Sequence, residues 1–590
     1  MPGYSIGDYL IRSLYGRGVR HVFGVPGDYI LNFYDRLTKS KISVVNMCDE
    51  QGAGFAADAY ARILGLGVVC VTYGVGALKV VNTTAQAYAE KSPVIVISGA
   101  PGLKEQLGNP LLHHKVRNFD TQKRIFDQIT VASTLLNDAQ TATYEINRVL
   151  SEALRFKRPV YVELPRDMAF KSILGQYQDP VDIKSEYQTN LDALEEATAE
   201  AVNMINAAVR PIIIAGEEIH RFGLQDKLLA LVEKTHIPFA ATILGKSVIS
   251  ELHPLFIGIY EGAVGRERTR QCVESSDCII ILGASLSDIT LGMFTAQIDQ
   301  KRTIYVSAEK LAVRYHQYEN IDIQDFLAAL SSNSDMMTMQ NKSPPGISDN
   351  HSSFTSGNLT SPSSTAGLVT DELCKASEEP MAAATGAAAT IDPYQGKKIT
   401  VKRLFECLNS FLTDDMIVLA DVGDALFSSA DLVIRGKTKF LSPAYYASLG
   451  FSVPGSIGAQ LADRALRPLV IVGDGAFQMT GMELSTALRY NLNPIVVVLN
   501  NGVYLTEKLM LDGPFNNLQP WKYYKLPDLI GGGQGFLIRT VDEFAQAIHK
   551  ALDLKNAFTI LDVLLDQNDR SPALDRLTQN LEKRFHSDQI

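Results

Sequence analysis

Oxygen-bearing side chains and glycines follow two apolar runs in the last third of this sequence. The run at residues 469–472 leads directly into Gly473-Asp474-Gly475, and the run at residues 495–499 leads into Asn500-Asn501. A carboxylate from Asp474 and an amide oxygen from Asn501 are ligands that Mg²⁺ prefers, and phosphate oxygens and water complete its shell. Glycines let the backbone approach a diphosphate closely. The two loops therefore predict a site for magnesium and a diphosphate.

Each of these motifs is also a common turn signal, so neither establishes a site by itself. A dinucleotide-binding register starting at Gly473 fails, because Gln478 stands where the third glycine belongs. The spacing favours the metal site. A helical pattern at residues 481–490 and a further apolar run separate the two loops, so both loops leave the carboxyl ends of predicted strands. Ligands of open α/β sheets bind at those ends.

Glu50 is a candidate acid. It precedes the small and apolar residues Gly52-Ala53-Gly54-Phe55-Ala56-Ala57, which predict a buried helix. A carboxyl group in an apolar setting can keep its proton near neutral pH. The alternative is a first-turn glutamate that only stabilises the helix dipole.

Four further side chains could transfer protons. Asp28 follows Pro26-Gly27, His113 and His114 are adjacent in a polar loop, and Glu507 lies six residues after Asn501. Acid–base catalysis needs such groups with tuned pKa values. Taken singly, they could equally be a turn residue, two solvated histidines and a glutamate on a helix face.

Short runs of apolar residues, without alternating polar residues, recur along the chain. The strands that they predict must position the candidate residues. Such strands are typical of parallel sheets that helices cover on both faces. The fold class is therefore predicted as α/β, with three open, mostly parallel-sheet domains. The runs lie at residues 68–71, 94–98, 160–164, 212–215, 278–282, 304–306, 416–420, 469–472, 495–499 and 559–565.

Composition suggests the domain boundaries. Residues 331–390 are rich in Ser, Thr, Asn, Pro, Met and Ala, with Phe354 as the one aromatic residue, and predict a flexible linker at 331–395. We predict an N-terminal domain at 1–180, a middle domain at 190–330, a C-terminal domain at 396–570 and a tail at 571–590. A long helical pattern at 190–208 opens the middle domain.

The bulk properties narrow the possible partners. A formal net charge of −10 and the absence of a Lys/Arg block argue against nucleic acid. The sequence has no apolar run of eighteen residues and no signal-like start, so no membrane partner is expected. Six dispersed cysteines fit a reducing compartment, and we expect a cytoplasmic protein.

With these motifs, the sequence resembles the thiamine diphosphate enzymes and, more narrowly, the pyruvate and indolepyruvate decarboxylase family. The resemblance covers nearly everything outside the linker. It implies pyrimidine-binding, middle and diphosphate-binding domains, and it implies magnesium ligands from Asp474, Asn501 and the carbonyl of Val503. This chain reads Asn-Gly-Val-Tyr where the family usually has Asn-x-Gly-Tyr, so its glycine is displaced by one position.

The resemblance also implies how the cofactor is held. Glu50 would activate the aminopyrimidine ring, Leu449 would press beneath the bent cofactor, and the carbonyl of Ala447 would accept a hydrogen bond from its amino group. Asp424 replaces a family threonine, so that cofactor contact does not transfer. Further cofactor contacts are implied for Gly473, Gly475, Ala476 and Tyr504.

The reaction implied is non-oxidative decarboxylation of a 2-oxo acid to an aldehyde and CO₂. Asp28, His113 and His114 would relay protons, and Glu507 would act near the substrate carboxylate. Thr506 and Met510 would line a pocket wide enough for an aromatic or branched substrate such as phenylpyruvate or indolepyruvate, beside or instead of pyruvate.

Two other functions stay open. One is a carboligase resembling acetolactate synthase, which would join two substrates, and the other is a non-catalytic scaffold that keeps only the fold. The resemblance further implies a homodimer or homotetramer, because the family builds each site from two subunits.

Overall fold

The computed structural model of the chain describes residues 4–173, 188–339 and 396–587. They form two compact units. The first unit contains the described residues up to 173 together with residues 396–432 and 438–578, and the second contains residues 188–339, 433–437 and the end of the last helix. The first unit holds two sheets and the second holds one.

The N-terminal sheet of the first unit has six parallel strands in the order β2-β1-β3-β4-β6-β5. Its strands are β1 (His21–Gly24), β2 (Ser43–Asn46), β3 (Gly67–Val71), β4 (Val94–Ala100), β5 (Ala132–Leu135) and β6 (Val160–Pro165). Its helices are Ile6–Gly16, Leu31–Thr38, Glu50–Leu64, Val81–Ala89, Thr121–Phe126 and Ala142–Phe156, with a 3₁₀ turn at Ala77–Val80.

The sheet of the second unit is mixed, with an antiparallel edge formed by its last two strands. The order is β13-β12-β11-β10-β7-β8-β9. Its strands are β7 (Pro211–Ala215), β8 (Phe239–Ala241), β9 (Phe256–Ile259), β10 (Cys278–Leu282), β11 (Thr303–Val306), β12 (Leu311–Val313) and β13 (His316–Tyr318). Its helices are Leu191–Ala207, Glu217–Arg221, Gln225–Thr235, Glu267–Glu274 and Ile323–Ser332, with a 3₁₀ turn at Gln300–Arg302.

The C-terminal sheet of the first unit has six parallel strands in the order β15-β14-β16-β17-β19-β18. Its strands are β14 (Met416–Ala420), β15 (Phe440–Leu441), β16 (Arg467–Gly473), β17 (Ile495–Asn500), β18 (Gln534–Ile538) and β19 (Thr559–Leu564). The α-helices are Val401–Phe411, Asp424–Ser429, Ser452–Ala462, Asp474–Thr480, Leu484–Arg489, Leu505–Met510, Leu526–Ile530, Val541–Asp553 and Pro572–Ser587. Short 3₁₀ turns lie at Gly481–Glu483, Pro514–Asn516 and Tyr523–Lys525. When the strands are numbered along the chain within each sheet, the N-terminal and C-terminal sheets have the same strand order.

Two small-residue helices join these two sheets. Helix Glu50–Leu64 follows β2, helix Ser452–Ala462 follows β15, and the two helices pack together. A Cβ atom added at Gly458 would lie 2.0 Å from the carbonyl oxygen of Ala56, so glycine is required for this approach. One hydrophobic cluster runs from Phe23 in β1 to Val496 in β17. The two sheets of the first unit thus share one continuous hydrophobic core.

The fold class predicted from the sequence is confirmed. All ten predicted strands are present, and the pattern at 190–208 forms helix Leu191–Ala207. Most of the predicted linker, at 340–395, lies outside the described residues, although helix Ile323–Ser332 extends two residues into it. The domain boundaries stay predictions. Within the described part of the chain, no helix is both long and apolar enough to span a membrane.

Candidate active site

Asp474 begins the helix that follows β16 and is almost fully buried. Its Oδ2 accepts a hydrogen bond from the backbone N–H of Gly502 at 2.7 Å, and its Oδ1 accepts one from Gly475 at 3.0 Å. Burial raises the pKa of Asp474 to about 6, although these backbone bonds oppose the rise. Among the described residues, no ion pair involves Asp474. A buried carboxylate without a cationic side chain suits a bound metal ion.

The loop after β17 brings Asn501 to the same place. Asn501 Oδ1 accepts a hydrogen bond from the N–H of Val503 at 3.1 Å. Gly502 has φ +74°, the left-handed region that glycine adopts without strain. The displaced glycine therefore makes the turn that brings its own N–H to Asp474. Val503 is buried and pairs with Asn517 in an isolated bridge.

The two glycines beside Asp474 have different surroundings. A Cβ atom at Gly473 would meet nothing within 4 Å, so the backbone there faces open space. At Gly475 a Cβ atom would lie 2.4 Å from the ring of Tyr504, so that glycine makes room for the tyrosine. Ala476 is buried in the first turn of the helix. Open backbone at Gly473 beside Asp474 is compatible with an approaching diphosphate.

A buried aspartate fixes the loop that carries Ala447 and Leu449. Asp421, at the end of β14, accepts backbone hydrogen bonds from Gly450 at 3.0 Å and Ser452 at 2.9 Å, and one from the Ser452 hydroxyl at 2.8 Å. Ala447 has φ +60°, a conformation rare for alanine, and Leu449 packs partly buried against the shared core. The role of Asp421 was not recognised from the sequence, although the apolar strand before it was predicted.

Glu50 is the first residue of helix Glu50–Leu64, as the sequence predicted. Its side chain is 12% exposed, and its Oε2 lies 2.8 Å from the ammonium group of Lys79. Asp49 caps the helix by accepting a hydrogen bond from Gln51 N–H at 2.8 Å. In the part of the chain that is described, no hydrogen bond or ion pair joins Glu50 to Asp474. The partner Lys79 was not recognised from the sequence, because it lies 29 positions after Glu50.

Asp28, His113 and His114 come together although 85 positions separate Asp28 from His113. His113 Nε2 lies 2.7 Å from Asp28 Oδ2, and the two imidazole rings meet edge to face at 4.8 Å. His113 also stacks on Tyr29, whose hydroxyl lies 3.4 Å from Nδ1. The three predicted groups thus form one hydrogen-bonded and ring-packed cluster, which can move a proton.

Glu507 lies on the short helix Leu505–Met510 with its side chain exposed. Thr506 is half-buried and faces Gly423, where a Cβ atom would be 3.7 Å from the threonine hydroxyl. Met510 is 54% exposed. No hydrogen bond or ion pair between described residues links Glu507 to the Asp28 cluster.

Asp424 has a role that its sequence position did not reveal. Its carboxylate accepts hydrogen bonds from the backbone N–H of Ser571 at 2.9 Å and from the hydroxyls of Ser571 and Ser428. Burial raises its pKa. Asp424 therefore ties the start of helix Asp424–Ser429 to the start of helix Pro572–Ser587.

Comparison with known proteins identifies three consecutive family matches. Residues 4–126 match the N-terminal TPP binding domain of thiamine pyrophosphate enzymes, residues 198–330 match their central domain, and residues 421–563 match their C-terminal TPP binding domain.

Full-length relatives are similar as well. The chain is 33% identical over 589 residues to an indole-3-pyruvate decarboxylase of Azospirillum brasilense, with 99% of both chains covered. It is 31% identical to an alpha-keto-acid decarboxylase of Mycobacterium leprae, covering 98% of this chain and 95% of the relative. An alpha-keto-acid decarboxylase of Mycobacterium tuberculosis H37Rv is 30% identical, covering 96% of this chain and 95% of the relative.

Proposed function

Because the chain belongs to the family of thiamine diphosphate-dependent 2-oxo acid decarboxylases, we propose that it converts an aromatic or branched 2-oxo acid into an aldehyde and CO₂ with the help of Mg²⁺. The observation that carries this proposal is the cluster of Asp28, His113 and His114. Release of an aldehyde requires a proton to be delivered after CO₂ leaves, and this cluster is suited to supply it.

Magnesium would be held by the loops after β16 and β17. The carboxylate of Asp474, the amide oxygen of Asn501 and the backbone carbonyl of Val503 would be its protein ligands. Support comes from the burial of Asp474 and from the hydrogen bond that joins the two loops. Gly473, Gly475, Ala476 and Tyr504 would surround the diphosphate, whose oxygens would complete the metal shell.

Thiamine diphosphate, when bound, supplies the electron sink that lets the bond to the leaving carboxylate break. Glu50 would hydrogen-bond the aminopyrimidine ring and activate it, and its largely buried side chain supports this role. Ala447 would accept a hydrogen bond at its carbonyl, and Leu449 would support the ring system from below. The hydrogen bonds to Asp421 hold this loop in place.

Glu507 and the Asp28 cluster would divide the proton transfers between them. Glu507 would act near the substrate carboxylate, and Asp28, His113 and His114 would deliver protons and exchange them with solvent. Asp28 is 41% and His113 is 60% exposed, which supports exchange with water.

The substrate class rests on Thr506 and Met510. Thr506 is small and half-buried, and Met510 is flexible, so the two leave room for a large side chain. The relative named for indole-3-pyruvate supports an aromatic substrate such as indolepyruvate or phenylpyruvate, beside or instead of pyruvate.

The test is to compare kcat/KM for indolepyruvate, phenylpyruvate and pyruvate. We expect the aromatic acids to exceed pyruvate by at least about tenfold, and Thr506→Ile to lower the aromatic values by about tenfold while pyruvate changes little. Thr506→Val, which keeps the volume, is the control. A preference for pyruvate in the natural chain would contradict the substrate assignment.

A carboligase would trap the product of decarboxylation with a second 2-oxo acid. Product analysis separates the two reactions, because a decarboxylase releases one aldehyde for each CO₂. A hydroxyketone as the main product would contradict the proposal, and no CO₂ release in the presence of thiamine diphosphate and Mg²⁺ would favour a scaffold.

We further propose that the chain assembles as a homodimer or homotetramer in the cytoplasm. Three large apolar residues of the first unit are about half exposed: Val75, Met479 and Met482. Their exposure supports contact with another protein chain at this surface. Cys48 and Cys70 are free thiols, which supports a reducing compartment.

A further inference from the structure

A lysine shared by two carboxylates lies at the start of the helix that carries Glu50. Lys79, in the 3₁₀ turn Ala77–Val80, places its ammonium group 2.8 Å from Glu50 Oε2 and also contacts Asp49 Oδ2. The Glu50 side chain is 12% exposed, whereas those of Asp49 and Lys79 are 44% and 48% exposed. The ammonium group therefore bridges an inner and an outer carboxylate.

Asp49 can retain Lys79 without giving up its role in the helix. Its Oδ1 accepts the capping hydrogen bond from Gln51, which leaves Oδ2 for the ammonium group. Partial burial disfavours the charged ammonium, but the hydrogen bonds to Asp49 and Glu50 outweigh it and raise the pKa of Lys79. Glu483 faces the same turn and accepts hydrogen bonds from the backbone N–H groups of Cys48 and Asp49.

We propose that Lys79 is a positioning residue that competes with thiamine diphosphate for Glu50 and pairs with Asp49 alone once the cofactor is bound. The inference rests on the proposed function, because it takes Glu50 as the group that meets the aminopyrimidine ring.

The reason is competition for one carboxyl group. The Lys79 ammonium group occupies Glu50 Oε2, at 2.8 Å. The proposed role of Glu50 turns the same carboxyl group toward the aminopyrimidine ring, so Lys79 and the cofactor compete for one side chain. Asp49 resolves the conflict, because it offers Lys79 an adjacent anionic partner.

The experiment is a calorimetric titration of the full-length protein with thiamine diphosphate in excess Mg²⁺. Lys79→Met removes the competing cation, so we expect binding about threefold tighter, the size of a partly exposed ion pair. Asp49→Asn removes the second carboxylate partner of Lys79 and should weaken cofactor binding by about threefold to tenfold. The double variant should behave like Lys79→Met, because Asp49 matters only while Lys79 is present.

Two controls test whether the changes in cofactor affinity are specific to Lys79 and Asp49. Asparagine is as good a helix cap as aspartate, so Asp49→Asn should leave the melting temperature nearly unchanged. Lys39→Met removes an exposed lysine that pairs with Asp35, and it should leave cofactor affinity unchanged.

Weaker binding by Lys79→Met, or unchanged binding by Asp49→Asn, would overturn the inference. The same is true if the double variant binds as weakly as Asp49→Asn. Failure of the natural chain to bind thiamine diphosphate would overturn the proposed function and this inference together, whereas normal binding with unaffected variants would overturn the inference alone.

Discussion

At the scale of single residues, Glu507 has the most specific expected effect on turnover. Glu507→Gln keeps the size of the side chain and removes its ability to exchange a proton. We expect kcat for aldehyde release to fall by about 10²- to 10⁴-fold. Affinity for thiamine diphosphate should change less than twofold, because Glu507 lies on the helix after the metal loop and outside it. Steady-state kinetics and a cofactor titration measure the two quantities.

The matched control is Glu267→Gln, which changes an exposed glutamate of the second unit that pairs with Arg270. It should leave both quantities unchanged. Full turnover by Glu507→Gln would remove Glu507 from the proposed mechanism.

Residue types and spacing predicted Asp28, His113 and His114 as separate candidates, and only the fold brings them together. The sequence could not show their contact, since His113 meets Asp28 through the arrangement of the loops after β1 and β4. Lys79 and Asp421 were missed for the same reason, because their importance lies in partners that are distant along the chain.

At the scale of secondary structure, a buried ion cluster anchors the loop before helix Ser452–Ala462. Arg62 lies 2.8 Å from both Asp58 and Glu90 and donates to the carbonyl of Ser442 at 3.0 Å. Glu90 in turn accepts the backbone N–H groups of Tyr445 and Tyr446. The cluster thus connects two helices of the N-terminal sheet to the loop that carries Ala447.

Arg62→Met should therefore destabilise the first unit strongly. It leaves two buried carboxylates without their cation, and the free energy of unfolding should drop by roughly 3–5 kcal/mol. Thermal and urea unfolding followed by circular dichroism measure the loss. Arg124→Met, at an exposed ion pair with Asp120, is the control and should cost less than about 1 kcal/mol. Equal stability of the two variants would contradict this role.

Glu163 in β6 should make the stability of the first unit depend on pH. Burial raises its pKa to about 7, although hydrogen bonds from Tyr161 and Gln122 oppose the rise. An unfolded glutamate titrates near about 4.3. Between these values the folded chain holds one proton more than the unfolded chain, so stability falls as pH rises through that window and levels off above it.

Glu163→Gln removes this titration. Raising the pH from 5 to 8 should lower the apparent melting temperature of the natural chain relative to that of the variant. The loss should be equivalent to roughly 3 kcal/mol at most. Melting curves at several pH values measure it. A difference that is constant with pH would contradict the prediction.

Secondary structure was the more predictable level. Continuous runs of apolar residues were enough to predict the strands, because a strand that is buried on both faces needs apolar side chains at nearly every position. Short elements were not predictable: β15 has two residues, and helix Asp424–Ser429 is held by Ser571 from 147 positions away. Their positions depend on tertiary contacts, which local patterns do not record.

At the scale of the whole molecule, we propose that the active site draws on two subunits. If Glu50 of one chain serves the Asp474 loop of another, Glu50→Ala and Asp474→Ala should each be inactive alone. Random co-assembly should restore about a quarter of the natural activity, because about a quarter of the sites then combine two intact halves. Co-expression with two affinity tags and an activity assay would test this.

Each variant purified alone is the control for residual activity. An inactive mixed assembly, with its composition verified by mass, would place the complete site within one chain and contradict the two-subunit arrangement.

The matching strand order of the N- and C-terminal sheets has a consequence for how the molecule arose. Glu50 follows the second strand of one sheet, and Leu449 precedes the helix at the corresponding place in the other. The loops after the third and fourth strands carry Lys79 and His113 in one sheet and Asp474 and Asn501 in the other.

Such correspondence is what gene duplication would leave. The packing of helix Glu50–Leu64 on helix Ser452–Ala462 would then preserve the contact between two identical ancestral chains that later fused. After such a fusion, each copy would have been free to specialise, one for the acid groups and the other for the metal. Engineering a single-sheet ancestor that binds itself and a diphosphate would examine this history.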